Sequence, residues 1–554
     1  MAVRPSGTAT GIARKPARAR GGVGAFLRRF DAGSWYSGSV DEHREIELKL
    51  DASPEDLRRL QRHRLVHSLS QGRAVTQSLV SVYFDTEEHD LAAARFGLRV
   101  RHVGRRRIQT VKGERSATGG LFERTELEVP IDGDEPDLAR IPDPELRAEL
   151  FEILHDKPLV AVFRTEFRRT RRVLRKGDSE WTLDVDHGSI VAGERRAPIH
   201  EVELELRAGD PAKLFEFALL LQERLDLRPA ARSKAERGYA LARGEGASTR
   251  PSQRVPLDPD ATLEDALSAI LSHCLAHFTA NADCACEGLD PEGVHQMRVG
   301  VRRARAALAL FEPLLPADRV RFFRSELRWL GRELGAARDL DVFMRGILAD
   351  SAQHRAGRAA FDRLRSEALA LRAECYQGVC ACVGSRRYAR LVLELGGWIH
   401  ARGWQERAPG GDSMRWLAPA RDFAETELER RHRKIGRLAD RLDVSDDARH
   451  AVRIELKKLR YASEFFRDLY QGRGTKRYLR RMARVQAALG RMNDVATAER
   501  ILAALLARLG SERAPEHERV AGFVEGWAAQ LAANALRETE DAWERLERTR
   551  PFWL

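Results

Sequence analysis

The chain is predicted to fold as an α+β N-terminal domain built on an eight-stranded antiparallel β tunnel or barrel. An all-α helical-bundle domain with an internal pseudo-two-fold repeat follows it. Three observations predict this. Charged residues alternate with apolar ones along several short β-prone runs of the first half. The second half changes to long Ala-, Leu-, Arg- and Glu-rich stretches with a 3.6-residue period. One basic motif occurs twice in that half with the same internal spacing.

The first run is the most telling. In Glu45-Ile46-Glu47-Leu48-Lys49-Leu50, strand geometry puts Glu45, Glu47 and Lys49 on one face, about 7 Å apart along the strand. Ile46, Leu48 and Leu50 point the other way. Two carboxylates and an ammonium on one face suit a water-filled cavity that holds a divalent metal and a multiply charged anion. Glu201, Glu203 and Glu205 repeat the device with three carboxylates. Further strands expected at 79–85, 97–103, 106–112, 122–129, 162–174, 180–187 and 199–207 carry Arg99 and Arg101, Lys112, Arg124, Glu126 and Glu128, and Asp184 and Asp186 in the same alternation. A sandwich would turn its apolar face inward; here a polar interior is expected instead, closed as a barrel. Helices are expected at 54–64, 143–154, 211–225 and 232–241.

Residues 1–30 hold seven basic residues and no acid, so 1–40 is expected to be a disordered basic tail. The tunnel domain spans 41–244, and a Gly-, Ser- and Pro-rich linker spans 245–260. The helical domain spans 261–550, its repeats covering about 261–400 and 415–550, with roughly ten helices broken near 313–317, 382–386, 407–412 and 509–515.

The repeated motif reads H-x-x-R-x-x-x-[RK]-[RK]-x-R. Its copies are His295, Arg298, Arg302, Arg303, Arg305 and His450, Arg453, Lys457, Lys458, Arg460. A Leu-Gly pair follows each copy at the same interval, Leu334-Gly335 and Leu489-Gly490. At 100° per residue His295, Arg298, Arg302 and Arg305 fall within an arc of about 80°, as do His450, Arg453, Lys457 and Arg460. Neighbouring like charges on a helix are unfavourable. A polyanion lying along the helix turns them into a binding rail, since arginine forks match phosphate oxygens. The alternative is a solvated basic face paired to Asp339, Asp341 and Asp494.

Composition bounds the rest. At 554 residues, two or three domains are expected. The 95 Lys and Arg against 83 Asp and Glu leave a charge of +12, which favours anionic partners: polyphosphate, nucleic acid or acidic membrane. No apolar run reaches the length of a membrane span. Six cysteines are too few for a disulfide framework. Cys284-Ala-Cys286 and Cys380-Ala-Cys382 lack the spacing and histidines of a zinc site, so the cysteines read as small core residues in a reducing cytoplasm. There is no Gly-x-x-x-x-Gly-Lys-[Ser/Thr] phosphate loop and no Gly-x-Ser-x-Gly elbow.

Region 41–244 resembles the CYTH domains, the triphosphate tunnel metalloenzymes. The residues that carry the resemblance are Glu45-Ile-Glu47-Leu-Lys49, Tyr83-Phe84-Asp85-Thr86, Leu98-Arg99-Val-Arg101, Val111-Lys112-Gly113, Arg124-x-Glu126-x-Glu128, Asp186-His-Gly188, Glu201-Val-Glu203-Leu-Glu205 and Ser233-Lys234. Region 261–550 resembles a CHAD domain, with the His295 and His450 motifs as its signature. The tandem is similar to bacterial inorganic triphosphatases. The resemblance implies hydrolysis of inorganic triphosphate with Mg²⁺ or Mn²⁺ in an eight-stranded tunnel. It implies Glu45, Glu47, Asp186, Glu201, Glu203 and Glu205 as metal ligands, and Arg99, Arg101, Lys112, Arg124, Arg169 and Lys234 as the phosphate grip. It implies that Lys49 orients or activates the attacking water. It also implies that the helical domain binds inorganic polyphosphate, and the expected location is the cytoplasm, at polyphosphate granules where that binding holds it. Two alternatives stay open: a polyphosphate-binding or granule-associated protein without catalysis, and a nucleotide or thiamine triphosphate enzyme on the same barrel. Nucleic acid is retained as a nonspecific ligand of the basic helix face.

Overall fold

The computed structural model describes residues 44–354, 358–405, 413–439, 446–470, 472–510 and 514–554. The basic tail expected over 1–40 lies outside them.

The strands of the first half are β1 (Arg44–Asp51), β2 (Ser70–Asp85), β3 (Phe96–Val103), β4 (Arg106–Thr118), β5 (Leu121–Ile131), β6 (Val160–Lys176), β7 (Ser179–Ala192), β8 (Arg195–Ala208) and β9 (Arg228–Pro229). They form one antiparallel sheet in the order β5-β4-β3-β2-β6-β7-β8-β1-β9, and β5 also pairs with β1. That pairing curls the sheet into a tunnel. Nine strands are present among the described residues, one more than expected. The addition is the two-residue β9, too short to leave a hydrophobic pattern, which pairs Leu50 with Pro229. β2 starts well before its expected limit, and β6 slightly exceeds its own, because each extends as the other's partner from Ser70↔Leu174 to Asp85↔Val160.

The apolar faces of the strands point outward. Leu48, Leu50, Val202 and Leu204 are fully buried with Leu57, Leu60, Leu214, Phe215 and Leu221 of the covering helices Pro54–Gln61 and Ala212–Gln222. Leu98, Val100, Val111 and Leu127 are covered in the same way by Leu146, Leu150 and Leu154 of the Pro144–Leu154 helix. The alternate residues, charged, are left to line the interior. The Lys234–Arg243 helix packs on β6. Gly238 allows this, since a Cβ there would meet the Phe163 ring at 2.1 Å.

The second half holds eleven α-helices among the described residues. The two basic motifs lie on Pro291–Phe311 and Asp446–Phe466, each 21 residues long, and each runs into a three-residue 3₁₀ turn. Val294, Met297, Val301, Ala304 and Leu308 form the buried stripe of the first of these. No helix among the described residues is long and apolar enough to cross a membrane.

The segment expected as a plain linker is tied down. Ala247 N donates to Glu287 (2.8 Å), Arg250 N to Asn281 (2.9 Å) and Ser252 N to Gln296 (3.2 Å). The two halves share a core: Leu393 of the Arg386–His400 helix is buried among the helices that cover the tunnel. The cysteine reading is corrected at one point. Cys286 and Cys380 are joined as a disulfide with Cα atoms 4.4 Å apart, while Cys274, Cys284, Cys375 and Cys382 stay free. Packing of the Ala282–Glu287 helix against the Arg358–Val383 helix makes that pair, a proximity that sequence spacing does not contain.

Candidate active site

The interior of the tunnel is a network of opposite charges. β1 delivers Glu47 and Lys49, which are 2% and 4% exposed. Cross-strand register sets Glu47 opposite Glu205, Lys49 opposite Glu203 and Asp51 opposite Glu201. Lys49 Nζ lies 2.9 Å from Glu47 Oε1 and donates to Glu203 Oε1. Lys234 stands at the first position of its helix, where a cation opposes the helix dipole. Three carboxylates hold it there: Asp186 at 2.9 Å, Glu201 at 2.5 Å and Glu203 at 2.8 Å. Arg169 forks onto Asp186 at 2.8 and 2.7 Å, and also reaches Asp184 and Glu203.

The opposite wall carries Arg99 on Glu126 at 3.1 Å and Lys112 between Glu45 (2.8 Å) and Glu126 (3.0 Å). Among the described residues Arg101 has only Ser81 at 3.3 Å and Glu128 at 3.9 Å. Arg124 pairs with Glu45 along the backbone, but its side chain lies outside the described residues. Of these groups Glu45, Glu47, Lys49, Arg99, Arg101, Lys112, Glu126, Arg169, Glu203 and Lys234 line one continuous cavity of about 2660 Å³.

Buried charges are tolerated only when paired, and the proton affinities show where the pairing is uneven. Burial pushes the Glu203 carboxyl up, but Lys234, Lys49 and Arg169 outweigh it and hold the group well below the usual carboxylate range. Asp186 is lowered in the same way: Arg169 and Lys234 overcome its burial. Arg101 is the reverse. Burial, with Arg99 and Arg169 close by, brings its guanidinium down to about 10. An anion between these arginines would relieve it. Glu205 is raised by burial, against the pull of Arg207 and with Glu45 adding repulsion. A cation between Glu45 and Glu205 would relieve that pair.

Sequence reasoning missed three participants, Arg171, Arg237 and Asp51. Arg171 holds Asp184 at 2.6 Å and Glu205 at 3.4 Å. Asp184, read as a lining residue, is a full member of the network. Arg237 pairs with Glu201 from the second turn of the Lys234 helix. Asp51 continues the Glu45, Glu47, Lys49 face, and burial beside Glu201 pushes it up to about 6. The same alternation that exposed Glu45 would have found Asp51 one step further on.

In the helical half the two motifs do not form separate rails throughout. Helices Pro291–Phe311 and Asp446–Phe466 pack together, so Arg298, Arg302, Arg453 and Lys457 act on one another. Burial brings Lys457 down to about 8, with Arg453, Arg302 and Arg298 adding to it and Asp494 opposing. Arg298 and Arg453 are lowered by burial against the pull of Asp339 and Asp494 respectively. His295 is lowered by burial and then by Arg338. Arg305 is lowered by burial and turns toward Arg328 and Arg324.

Four motif cations are bonded elsewhere, Arg298 to the Gly331 carbonyl at 2.7 Å. Arg303, 6% exposed, donates to Ser252 and stands 5.4 Å from the Phe465 ring. Lys458 pairs with Glu455 at 2.7 Å. Arg460 bonds Glu464 and Gln486, both at 2.7 Å. His450 is exposed at the start of its helix.

A family model described as the CYTH domain matches residues 43–239, and one described as the CHAD domain matches 269–503. The inorganic triphosphatase of Haemophilus influenzae is 33% identical over 199 residues, 36% of this chain and 54% of that protein, so the match spans about half of its length. An uncharacterized protein of Mycobacterium tuberculosis is 27% identical over 428 residues, 70% of this chain and 76% of its own. Among solved structures, the CHAD domain from the plant Ricinus communis is 32% identical and covers 55% of this chain and 98% of that one, with a TM-score of 0.47. The chain carries a CYTH domain followed by a CHAD domain.

Proposed function

We propose that the tunnel hydrolyses inorganic triphosphate to pyrophosphate and phosphate, and that the helical domain binds inorganic polyphosphate. The observation that carries the reading is Lys49, clamped between Glu47 and Glu203 inside a wall of phosphate-matching cations. Arg99, Arg101, Lys112, Arg169 and Lys234 would hold the non-bridging oxygens of a short phosphoanhydride. Arg101, whose carboxylate partner is the most distant of theirs, takes the strongest share. Lys49 orients the attacking water with its ammonium, and Glu47 and Glu203 fix where that ammonium points. Water oxygen bonds to the terminal phosphorus, the P–O–P bridge breaks, and pyrophosphate leaves onto the arginines.

Among the described residues no three His, Cys, Asp or Glu groups form a ready metal cage. The donor chemistry nevertheless fits a hard divalent ion. Glu45, Glu47 and Glu205 offer only carboxylate oxygens, and Glu205 is raised partly by Glu45. Mg²⁺ or Mn²⁺ held there would neutralise charge on the phosphoryl oxygens. Asp186, Glu201 and Glu203 serve first as counter-charges to Lys234 and Arg169.

The helical reading rests on the convergence of Arg298, Arg302 and Arg453 on Lys457, whose like charges disfavour its ammonium and which Asp494 opposes only in part.

The test is phosphate release by the full chain from triphosphate, ATP and thiamine triphosphate, each with and without Mg²⁺ or Mn²⁺. Metal-dependent turnover that is highest on triphosphate supports the reading. Preference for ATP or thiamine triphosphate moves the enzyme to that substrate. No turnover, with polyphosphate still bound, makes the tunnel a binding module.

A further inference from the structure

The backbone of Lys49 is held from two sides. On one, Lys49 N donates to Gly120 O at 2.9 Å; on the other, Ala230 N donates to Lys49 O at 2.9 Å. Gly120 belongs to the two-residue turn between β4 and β5, where Gly119 and Gly120 have φ of +61° and +89°. Positive φ at both central residues is what such a turn demands, and glycine supplies it without strain. Just beyond the turn, Phe122 places its ring 5.7 Å from Lys49 Nζ. The turn therefore touches the main chain of Lys49, and the start of β5 that it carries faces the ammonium.

What backs the turn belongs to the other domain. A Cβ on Gly119 would lie 2.9 Å from Leu275 Cδ2 and 3.5 Å from Val392 Cγ1. Leu275 is in the Leu263–Ala280 helix and Val392 in Arg386–His400, and both are fully buried. On its far side the turn meets Pro229 of β9 and the Lys49 carbonyl, at 2.9 and 3.1 Å from a Cβ placed on Gly120. The turn is thus wedged between the helical domain and Lys49. The opposite support is tied down as well. β9 leads through Ala230 to Arg232, which pairs with Asp283 of the helical domain at 2.8 Å.

We propose that the helical domain sets the position of Lys49: Leu275 and Val392 seat the Gly119–Gly120 turn, and the turn seats the lysine. Leu275 is a positioning residue, acting on Lys49 through the turn. The fused domain is then part of the hydrolytic apparatus as well as a polyphosphate module. The proposal rests on the hydrolytic reading of the tunnel given above. It goes beyond that reading in assigning a catalytic consequence to a surface between domains. An ångström's displacement of a catalytic group costs up to about 10²-fold in rate, so a modest slackening of the turn is visible in kcat.

The experiment uses the full chain with Leu275→Ala, Val392→Ala and the volume-conserving Leu275→Met. Steady-state kinetics on inorganic triphosphate are paired with amide hydrogen exchange over 118–123 and at Lys49. For each alanine variant the expected result is a kcat lower by about tenfold, a KM within about twofold, and faster exchange at the turn and at Lys49. Leu275→Met restores both. Val392→Ala, on a different helix, keeps the test if Leu275→Ala does not fold. Unchanged exchange at the turn, or unchanged kcat with altered exchange, overturns the proposal. If the wild-type chain releases no phosphate from triphosphate, the proposed function fails. Exchange then decides the positioning separately: faster exchange at Lys49 upholds it, and unchanged exchange overturns it.

Discussion

Replacing Lys457 by Met should make the protein more stable and its hold on polyphosphate weaker. The ammonium sits half-buried with Arg453, Arg302 and Arg298 around it, and is brought down from 10.5 to about 8. At 1.36 kcal/mol per tenfold change in proton affinity, that displacement corresponds to about 3 kcal/mol. The side chain keeps some solvent, so about 1.5 kcal/mol is the expected effect after screening. The sign follows from linkage. A lysine whose folded value lies below its unfolded one disfavours folding fully below about pH 8. That cost fades as pH rises from about 8 through 10.5, above which both states are neutral. Urea denaturation of wild type and Lys457→Met should show the variant more stable by about 1.5 kcal/mol at pH 7, with the gap narrowing above about pH 8 and closing only beyond about pH 10.5. In the same variant, polyphosphate affinity should fall by about tenfold through loss of one charge-assisted contact. A variant less stable than wild type at pH 7, or a gap that does not depend on pH, would refute the reasoning.

Glu203→Gln should cost about 3–5 kcal/mol of stability at pH 7 in the same denaturation assay, because Lys49, Lys234 and Arg169 all lose their shared carboxylate. Since that carboxyl is held well below its ordinary 4.5, its contribution is complete above the unfolded value. It disappears as pH falls through the folded one, so wild type and variant should converge in acid. Arg302→Ala should weaken polyphosphate binding by about tenfold, while Arg303→Ala leaves affinity within about twofold and lowers stability by about 1–3 kcal/mol. Titration calorimetry with polyphosphate and thermal melts separate the two. The contrast arises because Arg303 is spent on Ser252 and the Gln253 carbonyl.

Much of the tunnel was legible because a strand has a period of two. Once Glu45, Glu47 and Lys49 are seen to alternate with Leu48 and Leu50, the side to which each points follows from geometry alone. The outward burial of Leu48 and Leu50 is the other half of the same pattern. The helical character of the second half was legible for a parallel reason: its apolar residues recur with the 3.6-residue period of a helix.

Contacts made in three dimensions were not legible. Arg303 lies beside the predicted arc of Arg298, Arg302 and Arg305, and its destination is set by the Ser252 segment crossing its helix. Arg460 carries the right residue type on the right arc, yet Glu464 and Gln486 occupy it. The Cys286–Cys380 bond joins residues 94 apart, and only the packing of two helices makes them neighbours. The role of Arg171 and Arg237 as counter-charges depends on which carboxylates face them across the tunnel, a matter of register and helix placement.

The central claim is that charges of both signs, gathered inside the β tunnel, cleave a short phosphoanhydride. It is tested most directly by phosphate release from inorganic triphosphate with Mg²⁺ or Mn²⁺, comparing the full chain with Glu47→Ala. The account predicts metal-dependent release by the wild type and its loss in Glu47→Ala, with melting behaviour that still reports a folded chain. Metal-dependent release retained by Glu47→Ala would contradict it.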